Sequence, residues 1–330
     1  MMSFAALSLA ATALATSVSA LPYYKIPGLD LHFSLPKIGR VVLEPFGIIV
    51  ALGVILGAEL LRKRAVRHGA DEDDIRSMIS WVAISGFVGA HLFDVLVYQP
   101  GKLAEDPALL LRFWQGISSY GGILGAAIGF AFFVWWKRLT PGMWADAVLV
   151  GFVPGFTIGR VACTVVHDHV GRATDFALGF DYPRRASVAG PLRELYPGTS
   201  EFIRAHNLGL YELLYLIPVC GLILYLGLWS KRRFSAGFLA VLAGVLYAPV
   251  RFFLEYLRLT ESDPRYAGLT FAQWVSIAAF LVSGYVALRL LKTGKVAKTT
   301  EELGDLIGGR LVPTKRKPPA PATATSTDKK

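Results

Sequence analysis

Residues 163 to 169 read C-T-V-V-H-D-H, which sets a thiol, two imidazoles and a carboxylate within one short stretch. On a helix Cys163 and His167 share a face, and Asp168 and His169 follow at once. Three chemistries suit these types: metal ligation by sulfur and nitrogen, proton transfer by imidazole, or one wall of a ligand pocket. Arg160 and Arg172 flank the cluster, and guanidinium groups repel a cation unless an anion is bound with it. Zinc takes three or four donors, so any shortfall beyond Cys163, His167 and His169 falls to His91 or His206. No resident metal and no other cofactor is expected.

Other polar residues fall into helical stripes. Tyr247, Arg251, Glu255 and Arg258 follow at steps of 4, 4 and 3 inside a run of Leu, Val, Phe and Ala. Two cations repeated on one apolar face suit a bound anion, whereas an internal Arg/Glu pair with a snorkelling arginine is the plainer alternative. His91, Asp94 and Tyr98 form another face, read as interhelical hydrogen bonding. Gly121, Gly125 and Gly129 make a GxxxGxxxG ridge for close packing, with the hydroxyls of Ser118, Ser119 and Tyr120 just ahead. In H-N-L-G-L-Y-E-L-L-Y, residues 206 to 215, Asn207, Tyr211 and Tyr215 share a face and Glu212 stands beside them, a carboxylate in need of a partner.

The elements that carry these stripes are set by composition. Of 330 residues 54% are hydrophobic and 18% charged, with a mean hydropathy of +0.48, too apolar for an ordinary soluble domain. Apolar runs of spanning length lie near residues 41 to 61, 79 to 98, 118 to 136, 144 to 163, 208 to 229, 236 to 256 and 269 to 291. The fold class expected is an all-α polytopic membrane protein with seven transmembrane helices. Basic segments follow the first, third, fifth and seventh runs, so the positive-inside rule puts the N-terminus outside and the C-terminus in the cytoplasm. The net charge of +10 is thereby topology, and no nucleic-acid partner is expected.

Residues 1 to 20 form a signal-like or interfacial segment ending in S-V-S-A. Residues 21 to 295 are the seven-helix domain, and 296 to 330 a disordered basic tail rich in Pro, Ala, Thr and Lys. Two cysteines, Cys163 and Cys220, give no disulfide framework.

The outer ends of spans three to six collect Tyr120, Arg160, His167, Asp168, His206, Glu212, Tyr247, Arg251, Glu255 and Arg258. Arginines converging near a leaflet suit a phosphate, held by charge-assisted hydrogen bonds. With access from the bilayer, that phosphate belongs to a phospholipid headgroup.

The motifs DP-x-x-L-x-R-x-W-x-G-x-S-x-Y-G-G, G-R-x-x-C-x-x-x-H-D-H-x-G-R, H-N-L-G-L-Y-E, Y-x-x-x-R-F-x-x-E-Y-x-R and L-T-x-x-Q-x-x-S occur in this order between Pro45 and Leu291. Together they resemble the prolipoprotein diacylglyceryl transferases. The resemblance implies a bacterial inner-membrane enzyme with its site near the periplasmic face. It would move the diacylglyceryl group of phosphatidylglycerol to the lipobox cysteine of a prolipoprotein signal peptide, forming a thioether and releasing glycerol phosphate. Arg160 matches the arginine of the family signature G-R-x-G-N-F-x-N-G-E, and Arg251 and Tyr247 match the sixth-span Y-G-x-x-R-F motif. Asp168 and Gly171 fall at the signature's acidic residue and later glycine. Tyr120, Gly121 and Gly122 stand where the family has H-G-G. Catalytic roles are thereby implied for Arg251, Arg160 and either Tyr120 or His167. Phosphatidylglycerol contacts are implied for Arg160, Asp168, Gly171, Tyr247, Glu255, Arg258, His206, Glu212, Gly121 and Gly122.

Departures from the family pattern are specific. Tyr120 replaces the histidine proposed as base, and a phenol of ordinary pKa about 10 is a poorer base near neutrality. Cys163 and Val166 replace the signature asparagines, and Phe46-Gly47 stands for an early Y-G. A non-catalytic binder of anionic lipid with the same fold is the alternative reading.

Overall fold

The computed structural model describes residues 21–24, 26–27, 29–31, 41–112, 116, 118–259 and 265–293. The segments 1 to 20 and 296 to 330 lie outside the described residues. Among the described residues seven helices are long and apolar enough to cross a membrane: Pro45–Arg67, Glu72–Tyr98, Ser119–Lys137, Pro141–Val166, Leu208–Trp229, Phe238–Leu257 and Phe271–Lys292. They are referred to as the first to seventh spans.

Local sequence explains where these helices start. Pro45 and Pro141 stand at first helical positions, where a missing N–H costs nothing. Asp71 caps the second span by accepting from the backbone N–H groups of Asp73 and Asp74, and Asn207 caps the fifth through Leu210 N. The seventh opens with a reciprocal box in which Thr270 N donates to Gln273 Oε1 and Gln273 N donates to Thr270 Oγ1. The first span begins at Pro45, later than residue 41, because Val41–Leu43 (β3) pairs antiparallel with Leu29–Leu31 (β2). It runs on to Arg67 since R-K-R-A-V-R continues the helix beyond the apolar run.

The described residues form two compact units. One contains described residues up to Leu61, Asp146–Arg232 and those from Phe238 onward. In it Val150, Val153, Val219, Ile223, Leu239 and Ala243 make a common core of the fourth, fifth and sixth spans. Buried Asp146 accepts from Ala240 N at 3.0 Å, satisfying a backbone donor in the first turn of the sixth span. Outward-facing Leu52, Ile55, Phe253 and Leu281 are exposed, as expected of side chains whose solvent is lipid.

The other unit contains Arg62–Ala145 and Arg233–Gly237. Its second and third spans meet backbone to backbone. A Cβ on Gly125 would strike Ser85 O and lie 2.9 Å from Gly89 Cα, and one on Gly121 would strike Gly89 O and Phe93 Cβ. The GxxxGxxxG ridge is therefore a packing seam along its length.

The fold is mostly helical, and the all-α expectation needs one correction. Three strands of the segment between the fourth and fifth spans, Val170–Ala173 (β4), Phe180–Pro183 (β5) and Phe202–Asn207 (β6), join Leu21–Pro22 (β1), which precedes the first span, in a sheet of order β1-β5-β6-β4. β5 and β6 run antiparallel, with Phe180 opposite Ala205 and Tyr182 opposite Ile203, and β1 joins β5 in parallel. Along β6, Ile203, Ala205 and Asn207 are buried and alternate with more exposed neighbours, the period-2 pattern of a half-buried strand. Between arginines and histidines that alternation is easily missed. A further hairpin pairs Arg265–Tyr266 (β7) with Leu269–Thr270 (β8).

Candidate active site

The first unit brings four of the expected residues, Arg160, Tyr247, Arg251 and Arg258, onto two buried carboxylates. Glu212, in the first turns of the fifth span, is 3% exposed. Its Oε1 accepts the hydroxyl of Tyr247 from the sixth span. Arg160 Nε from the fourth span lies 3.1 Å from the same oxygen, a charge contact without the alignment of a hydrogen bond. The Arg160 guanidinium also sits 4.6 Å over the ring of Phe156, and that ring meets Tyr247 edge-on at 5.6 Å. A cation–π face, a carboxylate and a neighbouring hydroxyl thus hold this buried arginine.

Glu255 is the second anchor. Arg251 Nη1 donates to its Oε2 at 2.6 Å, one helical turn earlier. Arg258 Nη1 stands 3.9 Å from Oε1, too far for a hydrogen bond. Glu255 is 1% exposed, and its Oε1 has no hydrogen-bond partner among the described residues. Three arginines against two glutamates leave this constellation with one net positive charge, suited to a single anion. The stripe of four is not one helix throughout: the α-helix ends at Leu254, a 3-10 turn covers Glu255–Leu257, and Arg258 is extended.

Gly171 acts through its backbone. It bridges Arg258 in antiparallel fashion, and a Cβ there would lie 2.5 Å from Leu257 O and 2.9 Å from His206 Cβ. Arg172 Nε donates to Arg258 O at 3.1 Å. The sheet therefore fixes the end of the sixth span, where Arg258 begins. His206, on β6, pairs Nδ1 with Tyr211 Oη at 2.8 Å, and burial lowers its pKa below the ordinary value.

His167 is turned away from the role of open base. It ends the fourth span with φ of +56°, at the position where the quoted signature has glycine, and histidine is one of the few side chains tolerated there. Its buried ring packs 4.7 Å from Tyr23 and 4.9 Å from Phe180. Tyr182 Oη lies 3.3 Å and Asn207 Nδ2 3.1 Å from Nδ1. Asn207 Oδ1 accepts from Leu210 N, which fixes its amide so that Nδ2 faces the imidazole. Nδ1 is thus an acceptor, the neutral ring carries its proton on Nε2, and the side chain also bonds the backbone of Tyr24. Burial lowers its pKa. Asn207, helix cap and histidine anchor at once, was read from sequence only as one member of a polar face.

Asp168 and His169 follow the turn at His167 and fold back over the fourth span. His169 Nδ1 lies 2.5 Å from Asp168 Oδ1, and Arg160 Nη1 donates to Cys163 Sγ at 3.5 Å. One donor atom from each of Cys163, Asp168 and His169 falls within 4.8 Å of the others. Of the donors weighed in the sequence as an alternative metal set, Cys163 and His169 converge here with Asp168, and His167 is not among them.

In the second unit Ser118 caps the third span, its Oγ accepting from Gly121 N at 3.5 Å, so that hydroxyl is accounted for locally. Tyr120 is half-buried in the first turn. Gly121 packs on the second span, and a Cβ on Gly122 would rest 3.6 Å from Ala90 Cβ. His91 is fully buried, with Nδ1 3.2 Å from Gly116 O and Nε2 3.2 Å from Leu109 O, and Asp94 accepts from Gln99 Nε2 at 2.6 Å. That stripe is supporting architecture.

The profile of the family described as "Prolipoprotein diacylglyceryl transferase" matches residues 34–289. A relative from Thermus thermophilus, named phosphatidylglycerol–prolipoprotein diacylglyceryl transferase, is 30% identical over 78% of this chain and 97% of its own length. Proteins of the same name from Roseobacter denitrificans and Cereibacter sphaeroides are 26% and 28% identical, over 78% and 79% of this chain and 94% and 95% of theirs.

Proposed function

The chain belongs to the prolipoprotein diacylglyceryl transferase family and is a transferase, and from that premise we propose that it moves the diacylglyceryl group of phosphatidylglycerol to the lipobox cysteine of a prolipoprotein. The enzyme sits in the inner membrane with its N-terminus outside, its C-terminus in the cytoplasm and its site near the periplasmic face, as the alternation of basic segments supports.

The observation that carries this reading is the pair of carboxylate-anchored arginines, Arg160 on Glu212 and Arg251 on Glu255. In the reaction the cysteine sulfur bonds to the glycerol carbon of the diacylglyceryl group, the C–O bond to phosphate breaks, and the thiol proton passes to a base. The phosphodiester carries one negative charge, whereas the departing glycerol phosphate gains a second. Cations aimed at that developing charge act on the transition state more than on the bound lipid. Arg160 and Arg251 hold the phosphate, Arg258 borders it, and Tyr247 keeps Glu212 and Arg160 in register. Glu255 Oε1, a buried acceptor, takes a hydrogen bond from a glycerol hydroxyl of the headgroup. Tyr120, in the Y-G-G motif, is assigned the role of base toward the thiol, and His167 positions the sheet.

Purified protein incubated with phosphatidylglycerol labelled in its acyl chains and a lipobox peptide should yield labelled peptide. Arg160→Ala and Arg251→Ala should each abolish transfer. Full activity in both variants would overturn the site, and no transfer by the wild type would overturn the function.

A further inference from the structure

We propose that Cys163, Asp168 and His169 form a three-donor site for a borderline divalent cation of the zinc type. The fourth span ends at Val166, and the left-handed turn at His167 reverses the chain, carrying Asp168 and His169 back over the last helical turn, where Cys163 lies. Among the described residues this is the group of Cys, His and carboxylate side chains whose donor atoms converge within 4.8 Å. Donors on a tetrahedral zinc with bonds of about 2.0–2.3 Å sit roughly 3.4 Å apart, which falls inside the 4.8 Å within which these three donor atoms lie. One sulfur, one nitrogen and one carboxylate oxygen match borderline cations and exclude magnesium or calcium, which take oxygen shells. The set leaves a fourth position open.

The two arginines that oppose a cation in the sequence are differently placed in the structure. Arg172 points Nε at the carbonyl of Arg258. Arg160 is held on Glu212 and offers only Nη1 to the cysteine sulfur. On binding, Cys163 releases its proton to solvent and its sulfur turns from Arg160 to the metal. If the transferase reading holds, zinc therefore slows transfer by loosening Arg160, an effect that rests on that reading, whereas binding does not.

The test uses the full chain in detergent micelles, free of any histidine tag. Zn²⁺ competed against a chromophoric chelator should bind at one equivalent per chain in the wild type and be lost in Cys163→Ser and His169→Ala. Co²⁺ should give a thiolate-to-metal charge-transfer band in the near ultraviolet that Cys163→Ser removes. Size-exclusion profiles matching the wild type show that these variants remain folded, and His169→Ala, altering a half-buried side chain after the helix, serves if Cys163→Ser does not. The proposal is overturned by absence of stoichiometric Zn²⁺ in the wild type, or by Zn²⁺ binding and the cobalt band surviving both substitutions.

Discussion

Arg160 Nε lies 3.1 Å from Glu212 Oε1, and both side chains are more than nine-tenths buried. That oxygen also accepts the Tyr247 hydroxyl, so one carboxylate joins the fourth, fifth and sixth spans. A buried charge stripped of its partner is far costlier than the intact pair is stabilising. Glu212→Ala should therefore destabilise the protein by about 3–5 kcal/mol, seen as a clear fall in melting temperature in detergent. Glu212→Gln, which keeps an acceptor for Tyr247, should cost less. A melting temperature for Glu212→Ala equal to the wild type's would rule out this role.

Arg251 makes a different demand. Its Nη1 donates to Glu255 at 2.6 Å, and a planar guanidinium is the cation that can keep such a bond while meeting a phosphate in fixed fork geometry. Lysine keeps the charge but cannot serve both partners in one plane. Arg251→Lys should lower kcat/KM for phosphatidylglycerol by about 10²–10³-fold, the size of effect found for a lost charge-stabilising donor, with most of the loss in kcat. Arg251→Lys turning over like the wild type would mean that point charge alone suffices.

Much of this site was legible in the sequence because membrane spans leave few reasons for charge. Arg160, Glu212, Tyr247, Arg251 and Glu255 stood out against apolar neighbours, and helical spacing placed four of the polar residues in one stripe. What was not legible came from contacts between elements. No periodicity told that Glu212 pairs with both Arg160 and Tyr247, or that Phe156 lies under the guanidinium. The sheet was missed because its strands are two to six residues long and carry buried Asn207 and Tyr182 among arginines. His167 looked reactive as a residue type, yet its φ of +56° and ring partners make it a helix terminator and packing residue. Such a turn is set by the fold around it.

Gly171 tests how tightly the sheet controls the end of the sixth span. Its constraint is space, because an added Cβ would meet the Leu257 carbonyl and His206. Gly171→Val should push β4 away, break the bridge to Arg258 and displace the Arg258 guanidinium. The expected outcome is a loss of transfer by about tenfold or more, with stability falling by about 1–3 kcal/mol, the usual cost of overpacking. Gly171→Ala should fall between. A Gly171→Val variant with unchanged transfer and melting temperature would show that β4 does not hold Arg258 in place.

His167 supplies a prediction in pH. Burial lowers the pKa of His167, and of His206, below the ordinary value of 6.5, so both rings are neutral in the folded protein near pH 7. The unfolded chain binds these protons more readily, and stability must rise with pH across the interval between the folded and unfolded values. This contribution is complete above about pH 6.5 and is lost as pH falls through the folded pKa values. Melting temperature in detergent should accordingly drop between pH 7 and pH 5, and the drop should shrink in His167→Asn, whose side chain tolerates the left-handed turn without titrating. At neutral pH and below its melting temperature, His167→Asn should retain transfer within about threefold of the wild type. As a general base the imidazole would contribute about 10²–10⁴-fold, so a loss of that size in a folded variant would return His167 to the reaction.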